Sequence, residues 1–401
     1  MPSPHLEHVD QDRLLELTKA LVAVDTTFPP GNEAALRDLL HDALARWSPH
    51  WQEHEVSPGR PSFIASLPPG GAGATGRPAL IVNCHTDVVP VVASRWSRPP
   101  FQPVAEDGKL YGRGTADMKG GLAAAVCALD ALAAAGEEPA CDIVFHFVPD
   151  EERGGAVGTR ALSDAGLIRG DACLVPEPTS LAVCVAERGL AQGYITIKGR
   201  PGHGSRPREG VSAVEHAAQV TLALHAADFG GPEHALLGKP TANVGTIEGG
   251  SALNVVAEHA RVGFDRRILP GVTFDGAVSG LEERMKAAGL GAVDYDIEIE
   301  DFGEGSEMPA DHSFASLVRR CVAQATGREA PVIGMTFTTD ARFVRNQNGI
   351  PAVVCGPGNI AQAHGIDEWV EVSQLVEATL AFARLYQAFD TAPPRLGHSP
   401  G

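Results

Sequence analysis

Three consecutive acids, Asp150, Glu151 and Glu152, follow the apolar run Ile143-Val-Phe-His-Phe-Val148 and Pro149. A short β-branched and aromatic run cut off by a turn signal reads as a buried parallel strand. In open α/β sheets ligands bind beyond the carboxyl ends of strands, which places these acids at the rim of a site. Held close together, such carboxylates need a cation, a shared proton or bulk water. An isolated Asp-Glu-Glu reads best as a solvated acidic loop, but here the same order of strand and then ligand recurs. Ala79-Leu-Ile-Val-Asn-Cys84 ends in His85-Thr-Asp87. Asp171-Ala-Cys-Leu-Val-Pro176 ends in Glu177, whose backbone is restricted by a proline on either side.

Two loops extend the set. Tyr111-Gly-Arg-Gly-Thr-Ala-Asp117-Met-Lys-Gly-Gly121 is glycine-rich and feeds a helix over 122–135, and taken alone Asp117 reads as the cap of that helix. Ala363-His364-Gly follows the buried strand Ile350–Cys355 and its Gly356 turn. Together His85, Asp87, Asp117, Glu151, Glu152, Glu177 and His364 offer imidazoles and carboxylates but no thiolate. That choice suits zinc, cobalt or manganese and not a structural cysteine-rich site. Two divalent ions with one bridging hydroxide offset Asp117, Glu152 and Glu177, whereas one ion leaves the cluster negative in a partly dry cleft.

The elements that must position these residues form an α/β chain with an insertion. Residues 10–24 and 33–46 carry helical apolar spacing, and helices are also expected over 313–326 and 372–388. From Glu187 the pattern changes to a β-α-β-β-α-β order, an inserted α+β unit over 187–300. The expected division is a first catalytic segment, 1–186, the insertion, 187–300, a second catalytic segment, 301–390, and a disordered tail, 391–401. The catalytic part is expected to hold a mixed, mostly parallel sheet between helices. Gly70-Gly-Ala-Gly-Ala-Thr-Gly76 reads as a flexible surface turn, and His41, His50, His54 and His398 as inert surface histidines.

Among 401 residues, 44% apolar and 20% charged content is ordinary for a globular protein. A formal charge of −18 argues against nucleic acid or an anionic membrane as partner. No apolar stretch has the length of a membrane span. Seven scattered cysteines without a C-x-x-C pair, and an N-terminus without a signal-peptide pattern, lead to the expectation of a cytoplasmic protein with reduced thiols.

The series His85-Thr-Asp87, Gly112-Arg-Gly-Thr-Ala-Asp117-Met-Lys-Gly-Gly121, Asp150-Glu-Glu152, Glu177-Pro-Thr and His364-Gly resembles, in order and over nearly the whole chain, the motifs of the co-catalytic di-zinc amidohydrolases. Acetylornithine deacetylase, succinyl-diaminopimelate desuccinylase, aminoacylase and glutamate carboxypeptidase belong to that family. The resemblance implies two zinc ions per subunit (cobalt or manganese as substitutes) and a ferredoxin-like lid that makes a homodimer. It implies that Asp117 bridges the ions, with His85 and Glu177 on one and Glu152 and His364 on the other, and that the Asp117–Met118 peptide is cis. Asp87 is expected to hydrogen-bond the far nitrogen of His85 and so orient it. Glu151 is the implied general base for a zinc-bridged hydroxide attacking an amide carbonyl.

The resemblance also implies that His203, in Gly202-His203-Gly204, reaches the partner subunit's site as an oxyanion donor, although alone it reads as a loop histidine. Asn254, Arg267, Arg342 and the Gly356 turn are candidates for gripping a substrate carboxylate; ordinary surface salt bridges account for arginines equally well. The activity implied is hydrolysis of an N-acyl amino acid. A dipeptidase or carboxypeptidase using the same site is the near rival, and a non-catalytic metal- or metabolite-binding protein the remote one. Intact Glu151 speaks against the last, because holding a metal does not require it.

Overall fold

The computed structural model describes residues 8–68 and 75–397. Most of the Gly70–Gly76 turn and His398 lie outside the described residues. The chain divides into two compact units. One comprises the chain through Val185, Met308–Ile333 and the part from Thr339 onward; the other comprises Ala186–Glu307 and Gly334–Thr338. The second unit therefore runs seven residues beyond the expected end at 300.

In the first unit the described strands follow the order His50–Ser57, Arg60–Leu67, Asp142–Val148, Ala79–His85, Ala172–Pro178, Ala352–Gly356, Val183–Glu187. Ala79–His85 runs parallel to both of its neighbours, and Ala352–Gly356 runs parallel to Ala172–Pro178. The parallel strands are buried along their whole length, which explains their continuous apolar character. Their register aligns the carboxyl ends: His85 pairs with Val148, and Gly356 with Pro178. Helices Gln11–Ala23, Lys119–Ala134 and Val372–Ala388 carry apolar faces that are buried. The edge strand His50–Ser57 is polar and largely exposed and lacks apolar alternation, so it carries no strand signal in the sequence.

The helix after Asp117 begins at Lys119, three residues earlier than its apolar pattern suggests. Glycine makes this close approach feasible. A side-chain carbon at Gly121 or at Gly356 would run into the carbonyl oxygen of Pro176. Helix and neighbouring strand thus press on the residue preceding Glu177.

The second unit has strands Gly189–Lys198, Thr241–Gly249, His259–Ile268 and Asp294–Gly303, with helices Ala213–Leu224 and Phe274–Ala287. Its described strands pair antiparallel in the order second, third, first, fourth, the ferredoxin-like arrangement. Ile195, Ile197, Val220, Leu224, Val262 and Leu281 form part of its core.

Residues 391–397 were expected to be disordered, yet they pack on the first unit. Leu396 N–H donates to Gly349 O at 2.9 Å and Arg395 Nη2 to Gly170 O at 2.8 Å. His312 Nε2 lies 3.0 Å from Pro394 O. The polar, proline-containing sequence of this segment hid these backbone contacts. Similarly, His41 is only half exposed and stacks on Trp51, with ring centroids 4.0 Å apart.

His146 lies in the middle of Asp142–Val148, fully buried, and neither ring nitrogen has a hydrogen-bond partner among the described residues. Burial pushes its pKa from 6.5 down to about 4. Between those pH values the unfolded chain binds a proton that the folded chain refuses. Stability therefore falls as pH falls through that window, by about 1.4 kcal/mol per unit from this group. His146→Leu is expected to flatten that acid limb in denaturant unfolding of the metal-free protein. An unchanged slope would mean that the imidazole finds a partner once charged.

Candidate metal centre

Three parallel strand ends and two loops bring His85, Asp87, Asp117, Glu151, Glu152, Glu177 and His364 together in the first unit. Asp117 lies between the histidines: Oδ1 is 2.9 Å from His85 Nε2 and Oδ2 is 3.3 Å from His364 Nε2. Each histidine has its own glutamate, with Glu177 Oε1 3.4 Å from His85 Nε2 and Glu152 Oε2 2.9 Å from His364 Nε2. Met118, not Asp117, occupies the helix cap position, so the carboxylate is free to face the imidazoles. The Asp117–Met118 peptide is cis. Ligand atoms of His85, Asp117 and Glu152 lie within 4.8 Å of one another, as do those of His85, Glu151 and Glu177. Glu151 is thus within the same cluster and is the acid left over once each histidine has its glutamate.

Asp87 meets the far nitrogen of His85 as expected, but through its backbone oxygen. His85 Nδ1 is 3.0 Å from the Asp87 backbone oxygen and 3.6 Å from its carboxylate. The carboxylate instead accepts the backbone N–H groups of Glu151 and Glu152, both at 3.2 Å. With both oxygens on the acid turn, the carboxylate positions Glu151 and Glu152, and the carbonyl orients the histidine.

Electrostatics follow from crowding. Burial, then the nearby Glu177, holds Glu151 well above the ordinary carboxylate range. Burial and Asp117 push Glu152 to about 7, and burial pushes Glu177 to about 8 despite His85. Hydrogen bonds to Asp117 and Glu152 lift His364 to about 10. Burial alone would lower His85, but the Glu177, Asp117 and Asp87 carboxylates outweigh it and raise it well above 6.5. Asp117 moves the other way, its burial outweighed by His364 and His85. Two imidazoles and three carboxylates without a thiolate, facing one another around Asp117, with His85, Asp117 and Glu177 buried and His364 open to solvent, fit divalent zinc-like cations.

Several supporting residues carry no motif signal of their own. Arg60 is buried and donates to Glu33 at 2.7 Å and to Asp150 at 2.9 Å, anchoring the turn that carries Glu151. Asp150 itself adopts φ 74°, a conformation side chains rarely take. Asp340 accepts from Thr159 Oγ1 at 2.6 Å, and Thr159 accepts from Asn83 Nδ2 at 2.9 Å. Glu368 accepts from the Asp117 loop. Isolated charged residues in apolar or loop contexts give no hint of such partners tens of residues away.

Of the proposed substrate residues, Arg342 is buried and donates to the backbone oxygens of Gly154, at 2.9 Å, and Thr339, at 3.4 Å. Its guanidinium clamps the turn after Glu152, where a carboxylate-gripping role was expected. Gly356 is buried, and its N–H donates to Thr179 Oγ1 at 3.1 Å. His203, Asn254 and Arg267 belong to the second unit. There His203 is exposed, with Nδ1 2.8 Å from Ser205 Oγ, and the next N–H, of Gly204, donates to Asn254 O at 2.8 Å. Two residues distant in sequence are therefore neighbours. Both Arg267 donors, at 2.9 and 3.0 Å, go to Asp265 on the same strand.

Comparison with known proteins agrees with this geometry. The model of peptidase family M20/M25/M40 matches residues 81–388. An acetylornithine deacetylase of Photorhabdus laumondii is 31% identical over 379 residues, covering 90% of this chain and 91% of the relative. Among solved structures, an aminopeptidase from Bacillus cereus superposes with a TM-score of 0.78 at 23% identity, covering 94% of this chain and 99% of that one. A metallo-carboxypeptidase of the same family from Sulfolobus solfataricus gives 0.77 at 18% identity, over 94% and 99%. By sequence match and by fold, this chain belongs to peptidase family M20/M25/M40, whose members hydrolyse amide bonds.

Proposed function

We propose that the chain is a deacylase that hydrolyses the amide bond of a small N-acyl amino acid and carries two divalent cations, zinc foremost. The observation that supports this most is Asp117, with one oxygen toward His85 and Glu177 and the other toward His364 and Glu152. Those five residues would hold the ions. When bound, the cations supply a water of lowered pKa and polarise the substrate carbonyl. Glu151 takes a proton from the attacking water and returns it to the departing amine nitrogen, so that one group serves as base and then acid. Asp87 keeps Glu151 in place through its backbone N–H. His203 is the oxyanion donor from the second subunit of a homodimer.

The dimer reading is supported by the exposed apolar residues Leu222, Ile247 and Leu253 of the second unit. Seven buried cysteines, none of them in a disulfide, favour a reducing compartment, the cytoplasm. Among the described residues no helix is long and apolar enough to cross a membrane. The test is amine release from N-acetyl and N-succinyl amino acids and from dipeptides, with chelation and zinc add-back. Turnover of an N-acyl amino acid, lost on chelation and restored by zinc, is expected. Turnover of dipeptides alone would reassign the activity to an exopeptidase, and turnover indifferent to chelation would end the metal reading.

A further inference from the structure

We propose that Glu368 and Arg113 are positioning residues that fix Asp117 relative to His364, so that the cation pocket on the His364 side is formed before an ion enters. This rests on the two-cation reading above. Both side chains are buried. Glu368 Oε1 accepts the backbone N–H of Ala116 at 2.9 Å and of Asp117 at 3.1 Å. Its Oε2 accepts the N–H of Gly114 at 3.0 Å and Arg113 Nη1 at 2.5 Å. Arg113 Nη2 in turn donates to the backbone oxygens of His364, at 3.4 Å, and Gly365, at 3.3 Å. One carboxylate thus ties down the loop of Asp117, and its guanidinium partner ties down the loop of His364.

Secondary structure explains why these loops meet. Trp369–Glu371 pairs with Lys109–Tyr111, Trp369 opposite Tyr111, and Gly112 N–H donates to Glu368 O at 2.9 Å. This small sheet delivers both loops to one place but leaves their tips unpaired. His364 needs the support most, since it holds φ 60°, which a side chain seldom adopts unaided. Glu368 cannot itself be a ligand, because both oxygens are taken by the clamp. On the other side of Asp117, His85 and Glu177 project from the ends of paired strands and need no such brace. The two pockets therefore differ in how they are built, and loss of the clamp should fall on one of them.

The experiment titrates metal-free protein with Co2+, followed by visible absorption and calorimetry, in the native chain, Glu368→Gln, Arg113→Lys and His364→Ala. His364→Ala identifies which binding step belongs to the His364 pocket. In Glu368→Gln and Arg113→Lys that step is expected to weaken by about 10–100-fold, with the other changed by less than about threefold, the size found when groups that orient metal ligands are removed. Equal weakening of both steps, or of neither, would overturn the inference. Fewer than two Co2+ bound by the native chain would instead overturn the two-cation reading. Arg113→Lys keeps the buried charge paired while losing the fork, and carries the same test should Glu368→Gln fail to fold.

Discussion

Replacing Glu151 by Gln is expected to lower kcat by about 10²–10⁴-fold, the contribution of the proposed general base, while the two proposed divalent ions stay bound. Glutamine fills the same space and leaves the backbone N–H on Asp87 intact, so the acid turn keeps its shape. What it cannot do is accept the water's proton and give it back. The adjacent Glu152→Gln is the contrast. It stands 2.9 Å from His364 and is a proposed ligand, so its loss should show in metal content before it shows in the proton step. Kinetics together with metal analysis on both variants separate the roles. Native turnover in Glu151→Gln would remove it from the mechanism, and loss of one ion would make it a ligand.

The second large effect is on stability. Arg60→Met should destabilise the folded protein by about 3–5 kcal/mol, the usual consequence of removing one partner from a buried ionic cluster. Arg60 Nη2 reaches Glu33 and Nη1 reaches Asp150, all three nearly inaccessible to water. Methionine preserves much of the packing, including the approach to Phe28, over whose ring the guanidinium now sits at 4.3 Å. It leaves two carboxylates buried without a cation. Such acids titrate above their unfolded value, so the folded variant binds more protons than its unfolded chain as pH falls. Part of the loss should therefore be regained on acidification, a sign opposite to that of His146. Glu33→Gln in the same background is expected to recover stability at neutral pH. Denaturant unfolding across pH checks both, and a loss below about 1 kcal/mol would mean that water reaches the cluster.

Much of the candidate site is legible locally. A buried strand needs a continuous apolar run, and its end is where backbone pairing stops and polar side chains can face a cleft. Hence His85, Glu151, Glu152 and Glu177 stand out by position and by residue type. The inserted unit is legible too, because a switch from period-two strands to helical spacing is written in nearest neighbours. Less legible were His50–Ser57, an edge strand with no apolar face, and residues 391–397, whose order depends on backbone donors and acceptors of other segments.

The sequence by itself determined the ligand types, their places at strand and loop ends and the order of elements, since each depends on side-chain chemistry and short-range pattern. Tertiary structure alone decided that the Asp87 carboxylate holds the acid turn while its backbone oxygen meets His85. It also decided that Arg342 clamps backbone at Gly154 and that Glu368 and Arg113 join two loops more than 200 residues apart. Those assignments depend on hydrogen-bond geometry between segments distant in the chain. A charged side chain chooses its partner only after the sheet has brought the candidates within about 3 Å, the reach of a hydrogen bond.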